Sequence, residues 1–307
     1  MRLIRLSPFL SVLTVFLGCI PGTQPQEGGN SAAETMPQRI ISTMPSITEV
    51  LFDIGLGSLI IGDSQHTTYP PEAQHIEKIG GHFDASYEKI ISLKPDLIIV
   101  SIENRSLRQS LRLPTLIVNH QTLPGVLESY LIIGNYFGGN VLETATQRHQ
   151  ALSDRLDAFA NDGQENRTQR NPIRTLICID RSYGTGRIQN LYVAGSESFL
   201  SEAVDKAGGK NVAASLGLLA PALSAEGVIH LAPDVIIDIQ VRDRDLTQSL
   251  SDWHSLGDSV PAIKYGRILV LTDDFASIPG PRTPMLIEKI ARYFDTLYNG
   301  TATLPTE

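Results

Sequence analysis

The sequence predicts an α/β protein of two Rossmann-like lobes with parallel-type sheets, joined by a long rigid α-helix. Three observations predict it. Short apolar runs alternate with segments of helical period, the order of successive βαβ units. The segment Glu88 to Ile99 recurs at Glu226 to Ile237, with Glu, Ile, Leu, Pro, Asp and both strand isoleucines in register 138 residues on. That offset is far too long for a solenoid period and indicates two related lobes. Between the copies, residues 141–160 carry Leu142, Ala145, His149, Leu152, Leu156 and Phe159 on one helical face.

Taken in order, residues 1–19 read as an export signal. Arg2 and Arg5 precede an apolar run over 8–18, and a small residue, Gly18, stands before Cys19. The Leu17-Gly18-Cys19 end resembles a lipobox, which makes Cys19 the expected site of lipidation. Residues 20–37 are rich in Pro, Gly, Gln and Ser and are expected to be a flexible tether.

The N-terminal lobe is assigned to 38–122. Ile40-Ile41-Ser42 is a strand. A helix from Pro45 carries Ile47, Val50, Leu51 and Ile54 and ends at Gly55. Residues 59–62 form a second strand. Ser86 can cap a short helix that Pro95 halts, and 96–100 and 115–118 are continuous apolar runs suited to buried parallel strands. Residues 123–165 form the helical connector, broken at Gly138-Gly139. The C-terminal lobe, 166–298, repeats the pattern. It has a strand at 173–179, a helix at 197–207, the second copy of the helix–strand unit capped by Ser224, and a last helix over 283–298. Residues 299–307 are a tail.

Composition narrows the function. The chain has 307 residues, 42% of them hydrophobic, and a net charge of −8. Nothing suggests the basic face that a nucleic-acid binder needs. Beyond the leader, no stretch approaches the ~20 apolar residues of a membrane span. Once Cys19 is acylated, Cys178 is the one free thiol, and its apolar strand marks it as a buried hydrophobe. An enzyme is not expected. Gly195-Ser196-Glu197-Ser198-Phe199 lacks the last glycine of a nucleophile elbow, and no Walker A, HExxH or CxxC sequence occurs. An exported hydrolase or redox enzyme is the alternative class. Nothing points to an intrinsic cofactor.

Motif order over roughly 38–298 adds a resemblance. The matching residues include Arg39-Ile40-Ile41-Ser42, Pro45-Ser46 with Thr48-Glu49, Tyr69-Pro70-Pro71, Gly80-Gly81 and both helix–strand copies. Further matches are Tyr192-Val193-Ala194-Gly195-Ser196, Ala207-Gly208-Gly209-Lys210-Asn211-Val212, Trp253 and Pro261-Ala262-Ile263-Lys264. The chain resembles class III substrate-binding proteins of ABC importers, the receptors for cobalamin, ferric siderophores and haem, and is most similar to the cobalamin receptors. The resemblance implies an inter-lobe cleft for a metal chelate (corrinoid, ferric siderophore or haem). It also implies a permease partner in the inner membrane, an extracytoplasmic location with only a lipid anchor in the membrane, and a monomer. It places Glu88 and Glu226 where the family's docking glutamates stand.

Clefts in such lobes form where strands end and helices begin. In the first lobe this selects Pro45, Ser46, His66, Tyr69, His82 and Phe83 as candidate ligand contacts. Aromatic residues line the places of His66 and His82 in cobalamin receptors; the imidazoles here can serve as polar contacts or as metal ligands. In the second lobe the candidates are Arg181, Tyr183, Asp274, Phe275 and Arg282. The arginines suit a carboxylate or phosphate, the rings a macrocycle. Trp253 is expected at the edge of this lobe.

Overall fold

The computed structural model describes residues 36–300 except 83, 105, 162–170 and 242–244. The export signal with Cys19, nearly all of the tether, Phe83 and most of the tail therefore lie outside the described residues.

The first sheet is parallel throughout, in the order β3-β2-β1-β4-β5. Its strands are β1 (Ile40–Ser42), β2 (Ile60–Asp63), β3 (Glu77–Lys78), β4 (Leu97–Ser101) and β5 (Thr115–Val118). Helices α1 (Pro45–Asp53), α2 (Tyr87–Ser92) and α3 (Ser106–Leu111) connect them. Every residue of β4 is buried, which is why its sequence is an unbroken apolar run rather than an alternating one.

Helices α4 (Leu123–Phe137) and α5 (Gly139–Asn161) follow. Thr122 caps α4 by accepting a hydrogen bond from the Gly125 N–H. Gly138 and Gly139, at φ of 68° and 50°, take the left-handed backbone that turns the chain. Helix α5, 23 residues long, is the long connector helix. It lies back against α4: His149 Nδ1 is 3.0 Å from the Leu127 carbonyl, and a Cβ on Gly134 would stand 2.7 Å from that of Ala145.

The second sheet is mixed. Its strands are β6 (Ile173–Asp180), β7 (Leu191–Val193), β8 (Gly209–Asn211), β9 (Ala222–Leu223), β10 (Val235–Ile239) and β11 (Ile268–Leu271). They run in the order β11-β10-β6-β7-β9, with β8 also on β6. Strand β8 pairs in parallel with the first half of β6, and antiparallel β7 takes over at Cys178. The helices are α6 (Phe199–Lys206), α7 (Ala225–Leu231), α8 (Leu246–His254), α9 (Pro261–Lys264) and α10 (Thr283–Tyr298). The antiparallel strands were not legible as such, because three- and two-residue strands carry no readable period.

The repeat holds in three dimensions. Ser86 and Ser224 cap α2 and α7 through the N–H of Lys89 and Gly227. Lys94 and Ala232 take the same positive φ, 48° and 42°, just before each proline. Arg39 donates to the carbonyl of Leu93 and Arg174 to that of Leu231, so each copy closes its helix end in the same way.

One core cluster runs from Ile40, Ile47 and Tyr130 through Leu152 to Ile177, Leu269 and Phe294, so both sheets and the connector share it. Direct bonds reinforce the junction: the Phe199 N–H donates to the Gln121 carbonyl at 2.7 Å, and the Leu123 N–H to Glu202 Oε2 at 2.5 Å. Trp253 corrects an expectation. It is fully buried in the second lobe's own core rather than at its edge. No helix among the described residues is long and apolar enough to cross a membrane.

Candidate functional site

A cleft of about 520 Å³ opens at the carboxyl ends of both sheets. Its first wall is Met44, Pro45 and Ser46 after β1, then Gln65, His66 and Thr68 after β2. The opposite wall is Val241 after β10, then Asp274, Ser277, Ile278 and Pro279 after β11. Parallel strands turn into helices at this edge, which leaves loop side chains and helix starts facing the gap.

Ser46 is fixed from behind. Its hydroxyl lies 2.9 Å from Nδ1 of His120. That imidazole is fully buried, its Nε2 has no hydrogen-bond partner, and burial pushes its pKa down to about 3. His120 is therefore a neutral structural post under the cleft floor.

Beside the floor, four charged and polar side chains tie the lobes together. Glu49 on α1 receives Arg282 in a two-pronged contact, Nη2 to Oε1 at 2.6 Å and Nε to Oε2 at 3.1 Å. Arg282 Nη1 donates to Asp274 Oδ1 at 2.7 Å, and Asp274 Oδ2 accepts from the Thr68 hydroxyl at 3.0 Å. The Glu49 side chain is 2% exposed and that of Arg282 11%. The Tyr69 ring stacks on the guanidinium at 4.2 Å, and Phe275 flanks it at 5.8 Å. Burial raises the Glu49 carboxyl above its ordinary range, and Arg282 offsets only part of that rise. Burial acts on Asp274 in the same sense, but its bonds to Arg282 and Thr68 prevail and hold it low. Arg282 stays charged: burial disfavours the cation, but the two carboxylates outweigh it.

The structure sorts the sequence-derived candidates. Pro45, Ser46, His66 and Asp274 line the cleft. Tyr69 stands next to it, 43% exposed. His82 does not line it: its Nδ1 is 3.0 Å from Asn104 Nδ2 and its carbonyl accepts from the same amide. Burial lowers the His82 pKa against the pull of Glu103. Among the described residues no cluster of three or more His, Cys, Asp or Glu could hold a metal ion.

Four other candidates are engaged within the protein instead of lining the cleft. Arg282 is engaged by Glu49 and Asp274 rather than offered to a ligand anion, and Phe275 packs half-buried on the core instead of stacking in the cleft. Arg181 is fully buried, pairing with Asp238 at 2.9 Å and Asp252 at 2.8 Å. Tyr183 lies over that guanidinium at 4.1 Å rather than in the cleft. Asp252 also accepts from the N–H groups of Gly184 and Gly186, and Trp253 Nε1 donates to Asp238 at 2.7 Å. Two aspartates so close to a buried guanidinium make this a structural knot that shapes the loop after β6. The sequence reading missed Gln65, Thr68 and Val241 as lining residues. It also missed the role of Glu49, whose signal was a carboxylate set among Ile47, Val50 and Leu51 on a buried face.

Glu88 and Glu226 are exposed in the first turns of α2 and α7. Glu226 folds back on its own N–H and on Ser224, which lowers its pKa.

Two α/β lobes with strand-end loops facing across a gap, joined by a helical pair and a buried ion pair between Glu49 and Arg282, form a bilobal ligand receptor. The chain belongs to the periplasmic binding protein family, whose model matches residues 40–274. It is 27% identical over 275 residues to the ABC transporter substrate-binding lipoprotein YvrC of Bacillus subtilis, covering 86% of this chain and 81% of that one. It is 26% identical over 264 residues to the vitamin B12-binding protein of Vibrio parahaemolyticus, covering 85% and 90%. Among solved structures it is similar to the heme-binding protein RhuT of Roseiflexus, with a TM-score of 0.70 at 24% identity, covering 86% of this chain and 99% of that one. The vitamin B12-binding protein BtuF of Vibrio cholerae gives 0.67 at 24% identity, covering 85% and 98%.

Proposed function

We propose that this chain is the substrate-binding component of an ABC importer, taking up a metal chelate of the cobalamin type in the inter-lobe cleft. It delivers that ligand to an inner-membrane permease through Glu88 and Glu226, acts as a monomer, and is held to the membrane by a lipid on Cys19. The observation that carries the reading is the set of relatives: proteins named vitamin B12-binding and cobalamin-binding align with 85% and 92% of the chain. The lipoprotein relative supports the anchor. These relatives are named as binding proteins, which supports a receptor over an enzyme.

The chemistry of the cleft supports a ligand with amide edges. Among the described lining residues there is no Lys or Arg, and the one acid, Asp274, is paired with Arg282. Gln65, Thr68, Ser277 and Ser46 offer neutral hydrogen bonds, and Met44, Val241 and Ile278 offer apolar faces. Haem propionates or an anionic ferric siderophore would find no counter-charge there. One observation favours haem as the second reading: His66 is exposed in the cleft and can ligate iron.

Titration of the purified protein with cyanocobalamin, hemin and a ferric hydroxamate, following each ligand's visible bands, tests this. Saturable one-to-one binding of cyanocobalamin is expected. Binding of hemin alone, abolished by His66→Ala, would replace the corrinoid reading with haem. Binding of none would refute the chelate assignment.

A further inference from the structure

The internal repeat duplicates more than a glutamate. Ile91 stands three residues after Glu88, and Ile229 three residues after Glu226. Residues at that spacing share one face of a helix. Both isoleucines are exposed, 61% and 40%, while their neighbours Ile90 and Val228 are fully buried in the cores of their own lobes. Packing therefore accounts for Ile90 and Val228 but not for Ile91 and Ile229. Neither glutamate has a cationic partner among the described residues. On the second lobe, Glu226 and Ile229 border a groove of about 590 Å³ whose other side is Arg187, Gln189 and Asn190.

The topology gives both pairs equivalent positions. Helix α2 follows β3, which runs parallel to its sheet. Helix α7 follows β9, which is antiparallel to β7 and so runs with β6. Both helices thus begin at the sheet edge where the cleft opens.

We infer that Ile91 and Ile229 are the apolar anchors of the docking surface, each entering one of two equivalent pockets on the permease beside the cation that meets its glutamate. The inference rests on the importer reading. An acid next to an exposed aliphatic, present twice in register on two lobes, fits a partner that offers the same cation-and-pocket chemistry twice, as a membrane protein of two like halves does. The glutamates set orientation and encounter rate, and the desolvated isoleucines hold the complex.

The test places a photo-crosslinking residue at Tyr87, itself exposed, in the full-length protein. The protein is irradiated with membranes of the source organism, and mass spectrometry identifies the adduct. A second probe replaces His230 on the other lobe, and a control probe replaces Tyr136 at the far end of α4. Crosslinks to an ABC permease subunit are expected from the first two positions and not from the control. Introducing Ile91→Ser/Ile229→Ser should cut their yield about tenfold or more, since it removes two buried aliphatic side chains from the interface. Thermal unfolding of the double variant should match the parent. A permease crosslink whose yield is unchanged by the two serines would overturn the anchor role and leave the importer reading standing. No permease crosslink from either lobe would overturn both.

Discussion

The ion pair between Glu49 and Arg282 gives the sharpest test of how the lobes are held. Replacing Arg282 by Met keeps the volume and removes the charge. Glu49, with a side chain only 2% exposed, then loses both of its charge-assisted bonds. Breaking one side of such a buried pair costs about 3–5 kcal/mol, because the remaining carboxylate is uncompensated. The contact with Asp274 adds little, since that side chain is 35% exposed and pairs so placed contribute about 0–1 kcal/mol. Against a typical total stability of about 5–15 kcal/mol the loss is large. Replacing Glu49 by Leu as well removes the stranded charge, so Glu49→Leu/Arg282→Met should recover most of the stability. It should still bind ligand about tenfold more weakly, because the aperture is no longer preorganised.

The pH dependence has a definite sign. The folded Glu49 carboxyl is raised above 4.5, so the folded state holds this proton more tightly than the unfolded chain does, and Glu49 withdraws stability as pH rises through its folded pKa. Arg282→Met raises that pKa further, and its deficit should be smaller at pH 5 than at pH 8. The assay is urea unfolding of the parent, both single variants and the double variant at the two pH values. A single Arg282→Met loss below about 1 kcal/mol, or a double variant no more stable than that single, would refute the claim that a buried charge pair ties the lobes.

Three further outcomes are expected. His120, lowered from 6.5 to about 3, binds its proton less tightly folded than unfolded. It should therefore drain up to about 1.4 kcal/mol per pH unit as pH falls below 6.5; His120→Asn should flatten the stability profile over pH 6.5 to 5, and an unchanged slope would contradict its neutral buried state. Asp252→Ala should cost about 3 kcal/mol or more by taking from the buried Arg181 one of its two carboxylates and stranding two backbone N–H groups, with a change in the near-ultraviolet signal of Trp253; a normal unfolding midpoint would mean that the knot is not structural. Glu88→Ala/Glu226→Ala should bind ligand like the parent and fail in uptake, and unchanged uptake would remove both glutamates from docking.

The architecture was readable because its signals are local and repeated. Each copy of the helix–strand unit combines a serine cap, a proline stop and an apolar strand, and each returns in the structure at its expected place. The cleft floor was readable for the same reason, since Pro45 and Ser46 follow a strand and open a helix. The arginines were not. Arg181 and Arg282 stand in loops at strand ends, where a ligand contact and an internal ion pair look identical in sequence. Their partners Asp238, Asp252 and Glu49 lie 57, 71 and 233 residues away, and such pairings are fixed only by the tertiary fold. Trp253 was misplaced for a related reason: its indole N–H is satisfied by Asp238, a carboxylate inside a buried strand.

Whether ligand binds between the lobes can be read from a single blocking substitution. Ser277 is exposed on the second wall, facing Ser46 and His66 across the gap. Equilibrium dialysis of cyanocobalamin against the parent and Ser277→Trp should show one site on the parent and about a hundredfold loss on the variant, as an indole takes up ligand space, with thermal unfolding unchanged. Equal binding by a folded Ser277→Trp would place the ligand elsewhere and contradict the account.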